Sequence, residues 1–412
     1  MNKDIKVGIL GVGYVGFPLA LQSAKVFSTV AYDFNIKRIN NLSNNIDNNN
    51  DFEPNEIKKI VQKGNLSFSI DINDLKDCNF IIVTVPTPVD DNKLPDMSYL
   101  ESACKSIASI MNNQDIIVFE STVYPGAIED ICVPVLEKNS EMLLNKDFYC
   151  GYSPERVNPG DKVHTIDKII KVTSGSSPYS AKIIDNFYKS IIPAGTFPVS
   201  SIKVAEASKV IENTQRDINI AFVNELAIIF DKIDISIHEV LEASKTKWNF
   251  LDFVPGLVGG HCIGVDPHYL AYKAKQIGCD PRIILAGREI NESMSLEIAK
   301  MIIKRIEDSE QKLTKTNILI LGLSFKENCP DLRNSKIFDL INHLESFGLR
   351  ISVFDPVINI DDVDDDYLPK IIGEEDIYNY QNAVFAVPHN EILKMQIDKA
   401  KFITFFDLKN SL

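Results

Sequence analysis

The 412-residue sequence carries no excess of basic charge: 43 Lys and Arg stand against 57 Asp and Glu, for a formal charge of -14. That deficit argues against a nucleic-acid partner, which needs an extended basic face. No apolar run approaches the roughly 20 residues that a bilayer crossing requires. The longest, around residues 81–86 and 318–323, have the length of buried strands, so no membrane association is expected. The seven cysteines (78, 104, 132, 150, 262, 279 and 329) include no Cys-x-x-Cys and no Cys/His set at metal-ligand spacing. Neither a metal site nor a disulfide framework is expected from them. An odd number of thiols fits a reducing cytoplasm, and the chain enters a strand-like run at once, leaving no room for a signal peptide.

What is present is ordinary globular material. With 45% hydrophobic and 24% charged residues, the chain can build two or three domains at roughly 150 residues each. In the first third, strand-like runs at 6–10, 29–33, 80–86, 115–120 and 148–152 alternate with helical stretches such as 14–28. Such alternation predicts a parallel sheet covered on both faces. The asparagine-rich stretch 40–50 reads as a solvated loop and helix start. The middle is helical, over 200–234 and again over 283–307, with a glycine-bearing segment between them at 254–266. From Asn317 the alternation returns as a strand at 317–322, a helix at 335–347 and a strand at 350–355 that ends in aspartate. The expected fold is therefore α/β, with two Rossmann-like, doubly wound parallel sheets joined by a long central helix. The domains are expected at 1–199, 200–308 and 309–412.

Gly11-Val12-Gly13-Tyr14-Val15-Gly16 is a G-x-G-x-x-G turn that follows a strand and opens a helix. The first glycine permits the turn, the second lets a pyrophosphate approach, and the third packs helix on strand. Asp33 ends the next strand, 22 residues after Gly11, where a carboxylate can hold both ribose hydroxyls and repel a 2′-phosphate. This pattern favours NAD over NADP; the motif alone does not separate NAD from FAD.

Cys262 lies among close glycines in Gly259-Gly260-His261-Cys262-Ile263-Gly264-Val265-Asp266. Two readings stand, a small buried hydrophobe or an accessible nucleophile with thiolate character. Cys329 is the rival for that role, while His261 and His268 read better as structural imidazoles. On the long helix, Glu206, Lys209, Asn213 and Arg216 recur at helical spacing among apolar neighbours. The stripe is either a solvated face or the lining of a cavity, in which Lys209 and Asn213 could donate to an oxyanion.

Together these residues resemble the UDP-glucose/GDP-mannose dehydrogenases, which oxidise the C6 alcohol of a nucleotide sugar. The resemblance covers essentially the whole chain. It rests on the order and spacing of the glycine turn, Val85-Pro86-Thr87-Pro88, Glu120-Ser121-Thr122-Val123, Ser153-Pro154-Glu155, the Lys209/Asn213 helix, the cysteine loop, and Gly322-Leu323-Ser324-Phe325-Lys326 through Arg333. It implies a four-electron oxidation with two NAD per sugar, through a thiohemiacetal and a thioester on Cys262. Lys209 and Asn213 would stabilise the oxyanions, Asp266 and Glu155 would position or activate water, and Thr122 would hold it. NAD would meet Gly11, Gly13, Tyr14, Val15, Gly16, Asp33, Arg38, Thr87 and Thr122, with Arg333 near the NAD of a neighbouring subunit. The sugar nucleotide would meet Glu155, Arg156, Lys209, Asn213, Arg216, Gly259 and Lys326.

Departures from the pattern narrow the substrate. Val265 stands where the UDP-glucose branch carries lysine, and Pro159 where that branch has a second glutamate, which puts a two-glutamate mechanism in doubt. The loop and Gln215-Arg216-Asp217 look like the branch acting on UDP-N-acetylhexosamines, and Lys247-Trp248-Asn249-Phe250 and Arg156-Val157-Asn158-Pro159-Gly160 are similar to its gluco and galacto members, so a supply of uronic acids to capsule or lipopolysaccharide is expected. Arg216 keeps two readings there, contact with the N-acetyl carbonyl or a phosphate, or a helix-surface ion pair. The long helix resembles the family's dimer spine, so a homodimer is expected. UDP-glucose or UDP-N-acetylmannosamine oxidation, a two-electron alcohol dehydrogenase and an inactive nucleotide-binding protein are the alternatives.

Overall fold

The computed structural model describes residues 5–47, 52–90, 92–157, 163–260 and 263–409. Two compact units emerge, residues 1–212 with 268–278, and residues 213–267 with 279–412. The first unit holds strands β1 (Lys6–Leu10), β2 (Ser28–Tyr32), β3 (Leu66–Ser69), β4 (Phe80–Val83), β5 (Ile116–Phe119), β6 (Tyr149–Tyr152), β7 (Lys171–Gly175) and β8 (Thr196–Pro198). They form one sheet in the order β3-β2-β1-β4-β5-β6-β7-β8. Helices α1 (Gly16–Ala24), α2 (Ile36–Ser43), α3 (Pro54–Val61), α4 (Ser98–Ala108), α5 (Val133–Ser140) and α6 (Pro178–Ile191) connect the strands. Val7, Ile9, Ile82 and Val118 point from alternate strand positions into a core with Phe17, Ile184 and Phe187. Apolar residues on both faces of the central strands β1, β4 and β5 are what a sheet packed on both sides requires.

Two expectations need correction here. The sheet is parallel except where β7 runs antiparallel to β6. A parallel return needs a crossover, usually a helix, and no helix lies among the described residues between these two strands. The stretch at 40–50 also begins differently. Residues up to Ser43 finish α2, which Asn35 caps by accepting the Arg38 N–H at 3.1 Å, and Ile39 and Leu42 are buried. Polar composition concealed a two-residue apolar stripe, and residues 48–50 lie outside the described part.

Helix α7 (Ile202–Asp231) runs from the first unit into the second. It is followed by α8 (Ile237–Lys245), α9 (Asp266–Gln276) and α10 (Arg282–Asp308). In the second unit β9 (Asn317–Leu321), β10 (Arg350–Phe354), β11 (Asn382–Phe385) and β12 (Thr404–Asp407) form a parallel sheet in the order β10-β9-β11-β12, with α11 (Lys336–Ser346) and α12 (Asn390–Lys394). Alternation along β9 divides its residues between two cores. Ile318 and Ile320 face Ile298, Ile302 and Ile341, whereas Leu319 and Leu321 face Phe385 and Ile392.

The two sheets repeat one another in detail. Gly11 and Gly322 follow their first strands at φ +97° and +95°, a region that favours glycine. Each donates its N–H at 2.8 Å to the last carbonyl of the neighbouring strand, Tyr32 and Phe354 respectively. Asp33 then accepts the Val12 N–H at 2.9 Å, and Asp355 the Leu323 N–H at 2.7 Å.

Candidate active site

The glycine turn is built by exclusion. A Cβ on Gly16 would lie 1.8 Å from the Gly11 carbonyl oxygen, so helix and strand meet only through glycine. A Cβ on Gly13 would meet nothing within 4 Å, leaving open space where a phosphate can approach the helix N-terminus. Tyr14 and Val15 are half-buried in the turn. Asp33 holds the turn through Val12 and accepts the Asn35 N–H at 2.9 Å. Arg38 Nε donates to the Val12 carbonyl at 2.9 Å and Nη1 to Asp47 at 2.8 Å, while its buried Nη2 has no partner among the described residues. Thr84, which sequence reasoning missed, donates its hydroxyl to the Gly11 carbonyl at 2.6 Å. Thr87 offers its carbonyl to the Tyr269 hydroxyl at 2.8 Å. Open backbone at Gly13, the strand-end acid and an orphaned guanidinium nitrogen suit a dinucleotide.

At the carboxyl edge of the same sheet, β5 is followed by Glu120, Ser121 and the half-exposed Thr122. Beyond β6, Glu155 is buried, and its Oε1 accepts the N–H groups of Arg156 at 2.6 Å and Val157 at 2.7 Å. Its Oε2 meets Lys171 Nζ at 2.9 Å, and the same Nζ donates to Glu120 at 2.6 Å. Burial pushes the Glu155 carboxyl up, but the Lys171 charge and the hydrogen bonds outweigh it and hold the group below its usual range. For Glu120 burial wins, and its carboxyl is raised. Lys171 was missed because a lysine at a strand end reads as a solvated cation. Arg156 donates to the Ile170 carbonyl at 3.0 Å and pairs with Glu212 at 3.0 Å.

Along α7 the polar stripe divides into separate tasks. Glu206 is fully buried and accepts the N–H groups of Gly126 at 2.5 Å and Ile128 at 3.0 Å, anchoring the turn beyond Thr122. Lys209 is 8% exposed and makes no hydrogen bond or ion pair with any described residue. One turn further along, Asn213 Nδ2 donates to Asp266 at 2.5 Å, where the buried Asp266 opens α9. Arg216 is exposed and forms no ion pair among the described residues.

His261 and Cys262 lie outside the described residues; described residues before and after them are held as follows. Asn224 grips Gly256 through both its N–H (2.8 Å) and its carbonyl (3.0 Å), and donates to Asn291 at 2.8 Å. Asn291 and Arg288 both donate to Asp217 at 2.7 Å. A Cβ on Gly264 would lie 3.8 Å from the Arg288 guanidinium. Gly259 leaves no room for a side chain, since a Cβ there would sit 2.6 Å from the Asn334 carbonyl. Lys326 is half-buried, its carbonyl accepting the Ser324 hydroxyl at 2.9 Å. Arg333 is exposed and binds Asp331 through Nε at 2.9 Å and Nη2 at 2.6 Å. Within the described residues, the structure thus brings together the glycine turn with Asp33 and Arg38, Glu155 with Arg156, and Asn213 with Asp266.

A glycine turn with its strand-end acid marks a dinucleotide-binding domain. The chain belongs to the UDP-glucose/GDP-mannose dehydrogenase family, whose NAD binding domain matches residues 5–192, central domain residues 203–293 and UDP binding domain residues 319–412. It is an NAD-dependent dehydrogenase. The UDP-N-acetyl-D-glucosamine 6-dehydrogenase of Pseudomonas aeruginosa is 47% identical over 99% of this chain and 97% of its own length. The enzyme of the same name from Salmonella typhi is 46% identical over 95% and 92%. Among solved structures, UDP-D-ManNAc dehydrogenase from Pyrococcus horikoshii superposes with a TM-score of 0.86 at 27% identity, covering 99% of this chain and 96% of that one. Among the described residues no helix is long and apolar enough to cross a membrane.

Proposed function

We propose that the chain oxidises the C6 alcohol of a UDP-N-acetylhexosamine, UDP-N-acetylglucosamine first among them, to the uronic acid. The observation that carries this reading is the 47% identity, over nearly the full length of both chains, to a UDP-N-acetyl-D-glucosamine 6-dehydrogenase. NAD supplies the hydride acceptor for both oxidations when bound. Gly13 leaves its phosphates access to backbone, and Asp33 receives the ribose.

The Lys209 ammonium, buried and without a described partner, stabilises the alkoxide and the later tetrahedral oxyanions, and Asn213 adds a neutral donor. The Cys262 thiol adds to the aldehyde as a thiohemiacetal. Oxidation of that adduct gives a thioester, and water, positioned by Thr122, Asp266 and Glu155, releases the carboxylate. Arg156, Arg216, Gly259 and Lys326 contact the sugar nucleotide, and Arg333 serves the NAD of a neighbouring subunit.

The reading includes a homodimer, supported by Phe222 and Ile229 of α7, which are 54% and 47% exposed. Large apolar groups left in water along a helix suit a second copy of the chain. It also includes three domains, at 1–199, 200–308 and 309–412, and a cytoplasmic enzyme feeding capsule or lipopolysaccharide synthesis. The test is Cys262→Ser, assayed for uronic acid from UDP-N-acetylglucosamine. The variant should make none, and acid output at the native rate would overturn the covalent mechanism.

A further inference from the structure

We propose that Lys171 is a positioning residue for the hydrolytic half of the reaction, setting the charge and orientation of Glu155 through a buried assembly with Glu120 and Tyr188. The inference rests on the reading of Glu155 as a residue that positions or activates water.

Topology delivers the assembly. Glu120 follows β5 directly, and Glu155 lies three residues beyond β6. Both strands end at the sheet's carboxyl edge, where ligands of open α/β sheets bind. The reversal of β7 brings Lys171 to that same edge. Gly151 pairs with Gly175 and Tyr152 with Ser174, and continuing this register three places sets Glu155 opposite Lys171. A parallel β7 would have carried Lys171 to the other end of the sheet.

The assembly is dry. The side chains of Lys171, Glu120 and Glu155 are 4%, 0% and 9% exposed. Tyr188 donates its hydroxyl to the second oxygen of Glu120, and its ring centroid lies 5.5 Å from Lys171 Nζ. Two carboxylates share one ammonium, so full ionisation leaves a net negative charge. Burying such a set costs several kcal/mol per ion, and apolar packing commonly replaces one without loss of stability. Glu120 stands two residues before Thr122 in the chain, and Glu155 is itself a residue of the proposed site.

Among the described residues, the titratable groups acting on Glu155 include Lys171, Glu120 and Tyr188, while the Arg156 guanidinium donates to the Ile170 carbonyl and pairs with Glu212. Burial drives Glu155 toward its neutral form, and Lys171 is the largest opposing influence. In the hydrolytic step the water oxygen bonds to the thioester carbon and the carbon–sulfur bond breaks. One proton passes through Glu155 to the departing Cys262 thiolate, and no oxidation state changes. Only ionised Glu155 can accept that proton.

An opposite charge at this distance lowers a carboxyl pKa by about 1–3 units. Lys171→Met in the full-length enzyme should therefore move the acid limb of the kcat profile upward by about that amount. Enzyme-bound thioester, detected by intact mass after acid quench of a reaction with UDP-N-acetylglucosamine and NAD, should accumulate at neutral pH. kcat/KM for the sugar nucleotide should stay within about twofold, with kcat and KM falling together, since the step affected follows thioester formation. Lys171→Arg keeps the charge and should restore the limb. Because Lys171→Met strands two buried carboxylates, Glu120→Gln/Lys171→Met removes one of them and should still show an upward shift, smaller because the Glu120 charge no longer repels that of Glu155.

A limb that stays in place in either folded variant overturns the inference. Glu155→Gln separates this failure from that of the underlying reading. If that variant hydrolyses thioester at the native rate, the role of Glu155 falls and the inference with it. If it is impaired while the Lys171 variants are unshifted, the inference alone falls.

Discussion

Arg288→Met gives a quantitative test of how the segment around Gly256 is held. Arg288 Nη1 lies 2.7 Å from Asp217 Oδ1, with side chains 5% and 0% exposed. Removing the guanidinium leaves a buried aspartate facing the neutral amide of Asn291. Breaking a buried pair from one side typically costs about 3–5 kcal/mol, and that is the loss expected here. Asp217→Asn/Arg288→Met removes both charges and should recover at least about 2 kcal/mol of it, a coupling typical of groups in one network. Urea unfolding should be followed by far-UV circular dichroism, because the single tryptophan, Trp248, is 91% exposed and reports little on packing. The same network reaches Gly256 through Asn224 and Asn291, so kcat should fall in Arg288→Met as well. A loss below about 1 kcal/mol, or a double variant whose cost is the sum of its singles, would refute the argument.

Two further perturbations are independent of that network. Burial raises the Glu206 carboxyl from 4.5 to about 7 despite the N–H groups it accepts. The native state therefore holds this proton more tightly than the unfolded chain, and the stabilisation is complete below the unfolded value and lost as pH rises through the folded one. The loss amounts to about 3 kcal/mol, and Glu206→Gln should flatten that part of the stability–pH curve; an unchanged slope would remove Glu206 as its source. Asp33 should favour NAD over NADP by at least about a hundredfold in kcat/KM, since meeting a like charge costs several kcal/mol. Asp33→Asn keeps an acceptor for Val12 and should narrow the ratio at least about tenfold, whereas equal native efficiencies with the two cofactors would contradict the assignment.

Local signals made much of this fold legible. Strand β1 occupies the expected residues 6–10, and α7 and α10 end within three residues of the expected bounds. Apolar period and glycine placement determine such elements locally. The half-repeat after Asn317 was readable because its turn needs the same glycine and the same strand-end aspartate. What escaped was long-range pairing. Lys171 and Glu120 are 51 residues apart, and Arg288 and Asp217 are 71; nothing in a single sequence couples them. The reversal of β7 escaped for the same reason, since strand direction depends on a partner. In the polar stripe of α7, spacing identified the face but could not tell Glu206, which holds a backbone turn, from Lys209, which has no described partner.

The central claim, a four-electron oxidation of an N-acetylated sugar nucleotide, is tested most directly by NADH formed at completion per mole of substrate. The assay should compare UDP-N-acetylglucosamine, UDP-N-acetylgalactosamine, UDP-N-acetylmannosamine and UDP-glucose. Two NADH from a gluco- or galacto-configured N-acetylhexosamine, with little from UDP-glucose, is the predicted result. One NADH per sugar, or none from any of the four, would contradict it.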